Sequence, residues 1–296
     1  MGSEKISIRF FEDQMVRAQW DGDNQLWWYV VTDIVAAITK SENARKYWSV
    51  LKTRLKKQGN ELATNCSQLK FEASDGKKYS MDCIKQSDVE ELAKLIPSKN
   101  AISFLDWFTY SDNTIDGRSK KKAYTFWESN LVSPNDVGTV KSLQQIHGFI
   151  FGGLYDFAGK IRNKTISKGG FTFCLAQYLD NALKQVERMP ENNIDEIIDK
   201  YVEMNVCHPF MEGNGRSTRI WLDLILRKRL KKCVDWSKID KQEYLNAMIV
   251  SHSNTTQINQ LIKNALTDEI DDRQIFMKGI DYSYYYEEEN DFAEEI

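Results

Sequence analysis

Between residues 208 and 219 the chain reads His208-Pro209-Phe210-Met211-Glu212-Gly213-Asn214-Gly215-Arg216-Ser217-Thr218-Arg219. These are residue types suited to phosphate chemistry. A histidine precedes a carboxylate, Asn214 is flanked by glycines, and two arginines follow with a spacing of i, i+3. The glycines let the backbone bend into a concavity of N–H groups with no side chain in the way. From Ser217 the pattern turns helical, with Ile220, Trp221, Leu222, Leu224, Ile225 and Leu226. So broad an apolar set predicts a helix buried on most sides. Its N-terminus then lies beside the glycines, where unpaired N–H groups and the helix dipole favour an anion. Glu212 is an oxygen ligand of the kind Mg²⁺ takes together with phosphate oxygens. Arg216 and Arg219 share a helical face and can clamp further phosphates. His208 can accept the proton of an attacking hydroxyl. A satisfied loop histidine beside a plain glycine turn explains any one of these residues, but explains the ordered set poorly.

This string resembles the signature of the Fic family, His-Pro-Phe-x-Asp/Glu-Gly-Asn-Gly-Arg-x-x-Arg, with every position filled. The resemblance implies His208 as general base and Glu212 as the holder of Mg²⁺. It implies Gly213, Asn214, Gly215 and Arg216 on the phosphates of ATP, with Arg219 on the γ-phosphate. Most members of that family transfer AMP from ATP to a Ser, Thr or Tyr hydroxyl of a target protein. In the related death-on-curing kinases a lysine replaces the second glycine and the γ-phosphoryl group moves instead. Gly215 occupies that position here, so AMP transfer is the expectation. Phosphorylation and removal of AMP from a modified target stay open. So does a non-enzymatic alternative, a DNA-binding regulator whose Fic domain is a catalytically silent scaffold, although a degenerate signature would suit it better.

Several elements must position this stretch. Residues 140–157 are amphipathic, with Ile146, Phe149, Ile150 and Leu154 at helical spacing. His147 falls in that pattern and is read as a core or helix-face histidine. The run Tyr155-Asp156-Phe157-Ala158-Gly159-Lys160-Ile161-Arg162 resembles one found in the same family. Then Thr165, Ile166, Ser167, Lys168, Gly169, Gly170, Phe171, Thr172 and Phe173 form two strand-like pieces around a Gly-Gly turn. Their place matches the family's β-hairpin flap, which holds a target segment as an added strand through backbone bonds. A purely structural hairpin is the alternative. Ile194, Ile197, Ile198, Tyr201 and Val202 mark a helix leading into His208.

From residue 268 onward, 11 Asp/Glu stand against 2 Lys/Arg, a net of −9. That is the composition of a solvated tail. The aromatic density of Phe276, Tyr282, Tyr284, Tyr285 and Tyr286 argues for order instead. Ser283 is expected to cap a short helix that carries Glu287 one turn later. The pair resembles the family's inhibitory motif, Ser/Thr-x-x-x-Glu-Gly/Asn, in the C-terminal placement of its class III. Glu288 departs from it where Gly or Asn is usual. The resemblance implies autoinhibition, with Glu287 folded back onto Arg219.

Residues 6–31 alternate as strands around a turn at Asp21-Gly22-Asp23-Asn24. A helix capped by Thr32 or Asp33 is expected next, then a basic helical stretch with Arg45, Lys46, Trp48, Lys52, Arg54, Lys56 and Lys57. A second hairpin over 71–81 with its turn at Ser74-Asp75-Gly76, a helix over 87–95 and an apolar segment over 102–108 complete the region. Its order, with Asn43-Ala44-Arg45-Lys46-Tyr47-Trp48 and Asn65-Cys66-Ser67-Gln68, resembles the Bro-N domain of phage and viral proteins, which implies DNA contact. Residues 1–110 hold 16 Lys/Arg against 15 Asp/Glu, a net of +1. Only the 45–57 cluster is therefore basic enough for phosphates, and a solvated helix face is its ordinary role.

The expected architecture is an α+β N-terminal domain over 1–110, a polar linker over 111–122, and a mainly α Fic domain over 123–267 with its short β-hairpin flap. An acidic segment over 268–296 carries the inhibitory helix. At 296 residues the chain has room for two domains. Its 42% hydrophobic and 28% charged content is that of a globular protein. Five cysteines without a C-x-x-C pair read as reduced thiols of a cytoplasmic protein. Three scattered histidines argue against zinc. ATP and Mg²⁺ are the expected cofactors and a hydroxyl-bearing protein the expected partner. No membrane partner is expected, and self-association is left open.

Overall fold

The structure, a computed structural model, describes residues 5–72, 77–110, 113–168 and 170–287. It divides into two compact units, the first ending at Thr114 and the second beginning at Ile115.

In the first unit the strands β1 (Lys5–Phe11), β2 (Gln14–Asp21) and β3 (Leu26–Val30) run directly into helices α1 (Val31–Thr39) and α2 (Ala44–Lys57). Strands β4 (Ser67–Glu72) and β5 (Lys78–Lys85) and helices α3 (Val89–Lys94) and α4 (Asn100–Tyr110) follow. The sheet is antiparallel, in the order β1-β2-β3-β5-β4. Successive residues of a strand point to opposite faces. Val16, Ala18, Tyr29 and Ile84 therefore meet the helices, while Trp28, Val30, Phe71 and Cys83 form a smaller cluster on the other side.

Two local expectations change here. Helix α1 starts at Val31 with no side-chain cap. The reason is that Asp33 faces Arg17 instead, accepting from Nε at 2.7 Å, from Nη2 at 2.8 Å and from the backbone N–H at 3.1 Å. A bidentate pair of this kind holds the carboxylate more firmly than a cap would. Trp48 also departs from its expected place on a nucleic-acid face. It is buried, and its Nε1 donates to Asp82 at 2.6 Å beside the Lys52 ammonium at 2.7 Å. The expected hairpin turn at Ser74-Asp75-Gly76 lies outside the described residues; the strands it joins pair in register, Phe71 opposite Tyr79.

The second unit opens on α5 (Ile115–Thr125), so residues 115–122 are helical where a linker was expected. Residues 111 and 112 lie outside the described residues. Helix α6 (Val140–Phe151) stops at Gly152, short of the expected 157. The flap is β6 (Ser167–Lys168) against β7 (Phe171–Thr172), with Gly169 outside the described residues. Then come α7 (Ala176–Arg188), α8 (Ile194–Cys207) and α9 (Asn214–Leu230). Strand β8 (Cys233–Val234), α10 (Lys241–Ser251), α11 (Thr256–Asn264), β9 (Leu266–Thr267) and α12 (Arg273–Tyr285) complete it. The β8–β9 pairing was not expected, since two-residue strands leave no period to read. Helix α9 runs through the core: Trp221, Leu222, Ile225 and Leu226 are fully buried among residues of α6 and α8. The C-terminal acidic segment is no solvated tail as far as Glu287, because Phe276, Met277, Ile280 and Tyr284 of α12 join that same core.

Candidate active site

Helix α8 ends at His208, which takes the left-handed conformation (φ 48°) as the residue after the last turn. Six residues later α9 begins at Asn214, three positions earlier than the periodicity suggests, with Gly213 (φ 79°) as its N-cap. Gly213 could carry no side chain here: a Cβ would collide with the Phe151 ring. The loop between the helices is closed by Asn214, whose Oδ1 accepts from the Phe210 N–H and whose Nδ2 donates to the Phe210 carbonyl, both at 2.8 Å. The Asn214 side chain therefore shapes the cradle, leaving its main-chain N–H for an anion. His147 supports the same loop from α6. Its Nδ1 accepts from the Gly159 N–H at 2.9 Å, so the proton sits on Nε2 and is donated to the Glu212 carbonyl at 2.9 Å. Burial lowers its pKa to about 4. It is a core histidine, stacked on Phe210 at 3.8 Å.

Arg162 holds the other side of His208. Buried beneath the loop, it donates to the carbonyls of His208 (2.7 Å), Lys164 (2.5 Å), Cys174 (2.5 Å) and Cys207 (3.0 Å). The sequence marked Arg162 only through its resemblance; four main-chain bonds from distant segments have no signature in a string. The His208 ring stacks on Phe173 of the flap at 3.7 Å. Its Nδ1 lies 3.2 Å from the Asn205 carbonyl, which can only accept. The proton therefore sits on Nδ1 and the lone pair on Nε2. Burial pushes the pKa of this ring down to about 4, so the base form prevails at neutral pH. Cys207, next in sequence, is buried and its thiol is pushed up to about 12 by burial. It is a packed thiol.

The two arginines diverge. Arg216 pairs through Nη1 with Asp116 of α5 and through Nη2 with Glu212 at 2.9 Å. Its guanidinium lies between the rings of Phe151 (5.1 Å) and Tyr284 (5.3 Å). The Arg219 guanidinium lies beside the stacked pair Tyr244 and Tyr286, 5.5 Å from each ring centroid. Its Nε donates to the Ser283 hydroxyl at 2.7 Å, its Nη2 to the Ser283 carbonyl at 2.7 Å and to Glu287 at 2.5 Å. Ser283 therefore lies in the last turn of α12 and is no cap; Asp272 caps that helix. Glu287 follows the helix, and a Cβ on Gly215 would collide with its Oε1. The carboxylate thus stands over the N-terminus of α9. Burial raises its pKa, but Arg219 and Arg216 outweigh that and hold it below the ordinary range. Glu288 lies outside the described residues.

Glu212 has half its side chain exposed, with Oε1 bonded to the Gly213 N–H at 2.9 Å. Among the described residues no three His, Cys, Asp or Glu side chains gather. A cation here would rest on one carboxylate and complete its shell with phosphate oxygens, which is how Mg²⁺ is usually held. Asp116, Tyr244 and Phe151 were missed from sequence; Asp116 lay in what read as linker. No described helix is long and apolar enough to cross a membrane.

Residues 138–226 match the model of the Fic/DOC family. The protein adenylyltransferase VbhT of Bartonella schoenbuchensis is 30% identical over 147 residues, which span 45% of this chain and 30% of that protein. The probable protein adenylyltransferase y4lH of Sinorhizobium fredii is 28% identical over 120 residues, 36% of this chain and 62% of that one. The chain thus spans less than two thirds of the length of either relative. The BepC protein of Bartonella tribocorum, solved with bound AMPPNP, aligns at a TM-score of 0.46 and 19% identity, covering 52% of this chain and 84% of that one.

Proposed function

We propose that the second unit is a protein adenylyltransferase that moves AMP from ATP to a Ser, Thr or Tyr hydroxyl of a target protein. Its resting state is autoinhibited by Ser283 and Glu287. One observation carries this reading: the bare Nε2 of His208 stands beside a helix N-terminus whose innermost arginine is already held by a carboxylate. The names of the relatives point the same way.

In the open state the phosphates lie over the N–H groups of Gly213, Asn214 and Gly215, with Arg216 on the inner phosphates and Arg219 on the γ-phosphate. Mg²⁺ on Glu212, when bound, neutralises phosphate charge. The hydroxyl oxygen of the target attacks the α-phosphorus while His208 Nε2 takes its proton. The bond from that phosphorus to the α,β-bridging oxygen breaks and pyrophosphate leaves in line. The flap edge, Ser167–Lys168 and Phe171–Thr172, pairs with an extended target segment and so sets the hydroxyl near His208. With Glu287 docked, ATP meets an occupied arginine and a negative charge where its γ-phosphate belongs. Its α-phosphorus is then misplaced, and misplacement of about 1 Å costs about 10²-fold in rate.

For the first unit we propose a nucleic-acid contact through the exposed cations of α2, namely Arg45, Lys46, Arg54, Lys56 and Lys57. Arg45 and Lys56 line a cleft of about 250 Å³ together with Lys52 and Asp82.

The test of the enzymatic reading uses ATP labelled at either the α- or the γ-phosphate, with Mg²⁺ and a bacterial lysate. Protein should take up the α label and not the γ label. His208→Ala should keep ATP binding and lose transfer by about 10²–10⁴-fold. Uptake of γ label, or full transfer by His208→Ala, sinks the proposal.

A further inference from the structure

Helix α12 is held from two sides. Ser283 and Glu287 reach Arg219, whereas Asp281 and Tyr284 face α5. The Asp281 carboxylate is completely buried and receives the Lys120 ammonium at 2.8 Å together with the Tyr124 hydroxyl. The Tyr284 hydroxyl donates to Ser119 Oγ at 2.9 Å, in a position where both residues are buried. Ser119, Lys120 and Tyr124 share one face of α5 with Asp116, the partner of Arg216. One side of α5 thus meets both the inhibitory helix and a phosphate-site arginine. This helix is also the first element after the end of the first unit at Thr114.

We propose that Lys120 and Asp281 are a catch that keeps α12 docked, and so keeps Glu287 on Arg219. The inference rests on the autoinhibited reading and names what holds that state. A fully buried carboxylate without a cation is strongly unfavourable. With the lysine gone, Asp281 reaches water only if α12 leaves the surface of α5. Because Ser283 and Glu287 ride on the same helix and the turn after it, Arg219 is then released. Lys120, with 17% of its side chain exposed, is the half of the pair that solvent reaches. The two are positioning residues; neither touches the reacting atoms.

The test compares the full chain carrying Lys120→Met, Lys120→Met with Asp281→Leu, or Glu287→Gly. Hydrogen exchange over residues 273–287 and self-incorporation of α label from ATP are both followed. Lys120→Met should speed exchange in α12 by about 10²-fold, the scale of breaking a buried pair, with α8 and α9 as protected as before. Label should rise alongside, as it should in Glu287→Gly. Removing both charges should return α12 to within about tenfold of its original protection, since a buried pair replaced by apolar groups is close to neutral. Unchanged exchange in Lys120→Met overturns the catch. So does a double variant as open as the single one, because packing and not charge would then be at work. Opening of α12 with no rise in label, in Lys120→Met and Glu287→Gly alike, upholds the catch and refutes the autoinhibited reading.

Discussion

Glu287→Gly removes the carboxylate that bonds Arg219 and that, on the proposed reading, competes with a γ-phosphate for it. The arginine keeps three of its contacts, to the Ser283 hydroxyl, the Ser283 carbonyl and the Tyr244 hydroxyl. The rings of Tyr284 and Tyr286 stay packed in the core. What is lost is the charge-assisted bond of 2.5 Å. Removing one partner of a fully buried pair costs about 3–5 kcal/mol. The Glu287 side chain is 22% exposed, so the lower end applies, about 3 kcal/mol. That converts to about 10²-fold in favour of the state in which Arg219 is available. AMP transfer, read as α label incorporated into the chain itself and into lysate proteins, should therefore rise by about 10²-fold. Pyrophosphate release should rise in step, since one leaves for each AMP moved. Were transfer to stay at the parent's level while the melting temperature falls, the segment after α12 would be packing material alone, and the inhibitory role would be refuted.

The pH dependence follows from His208, whose pKa burial lowers to about 4. In the Glu287→Gly background the transfer rate should stay flat from about pH 8 down to about pH 5; a limb near the ordinary histidine value would show that the ring is not buried as described. Stability carries the matching sign. Between the unfolded value and the folded value of about 4, the unfolded chain binds the proton that the native ring refuses. Urea midpoints should thus fall as pH drops through that window, and His208→Ala should flatten part of the fall. In the first unit, duplex DNA binding by the full chain should weaken with salt with a log–log slope of about −3 to −5, as for three to five phosphate contacts. Lys56→Ala should reduce that slope by about 1; no binding at low salt would leave α2 a solvated face.

The candidate site of the second unit was legible because it is local. A histidine, a carboxylate, two glycines and two arginines within 12 consecutive residues need only a helix end and a turn to be brought together, and both are written in apolar spacing and in residues that permit positive φ. The flap was readable for the same reason, as two short strands around Gly-Gly. The aromatic run of α12 marked it as packed, because so much apolar area is not left in water. Long-range pairing was not legible. Asp116 meets Arg216 across 100 positions and Glu287 meets Arg219 across 68; charge counts do not say which carboxylate returns to which guanidinium. Helix α5 read as a linker because its sequence is polar, and its packing against α6 and α12, with Ala123 in the core and Ser119 and Lys120 bonded to α12, makes it part of the fold. Trp48 stood amid cations on the expected nucleic-acid face, yet the sheet beneath α2 offers Asp82 as a partner for its indole N–H. Propensity and spacing place a residue on a helix or a strand. What that residue faces is set by which elements pack together, and that is decided by the burial and charge pairing of the whole fold.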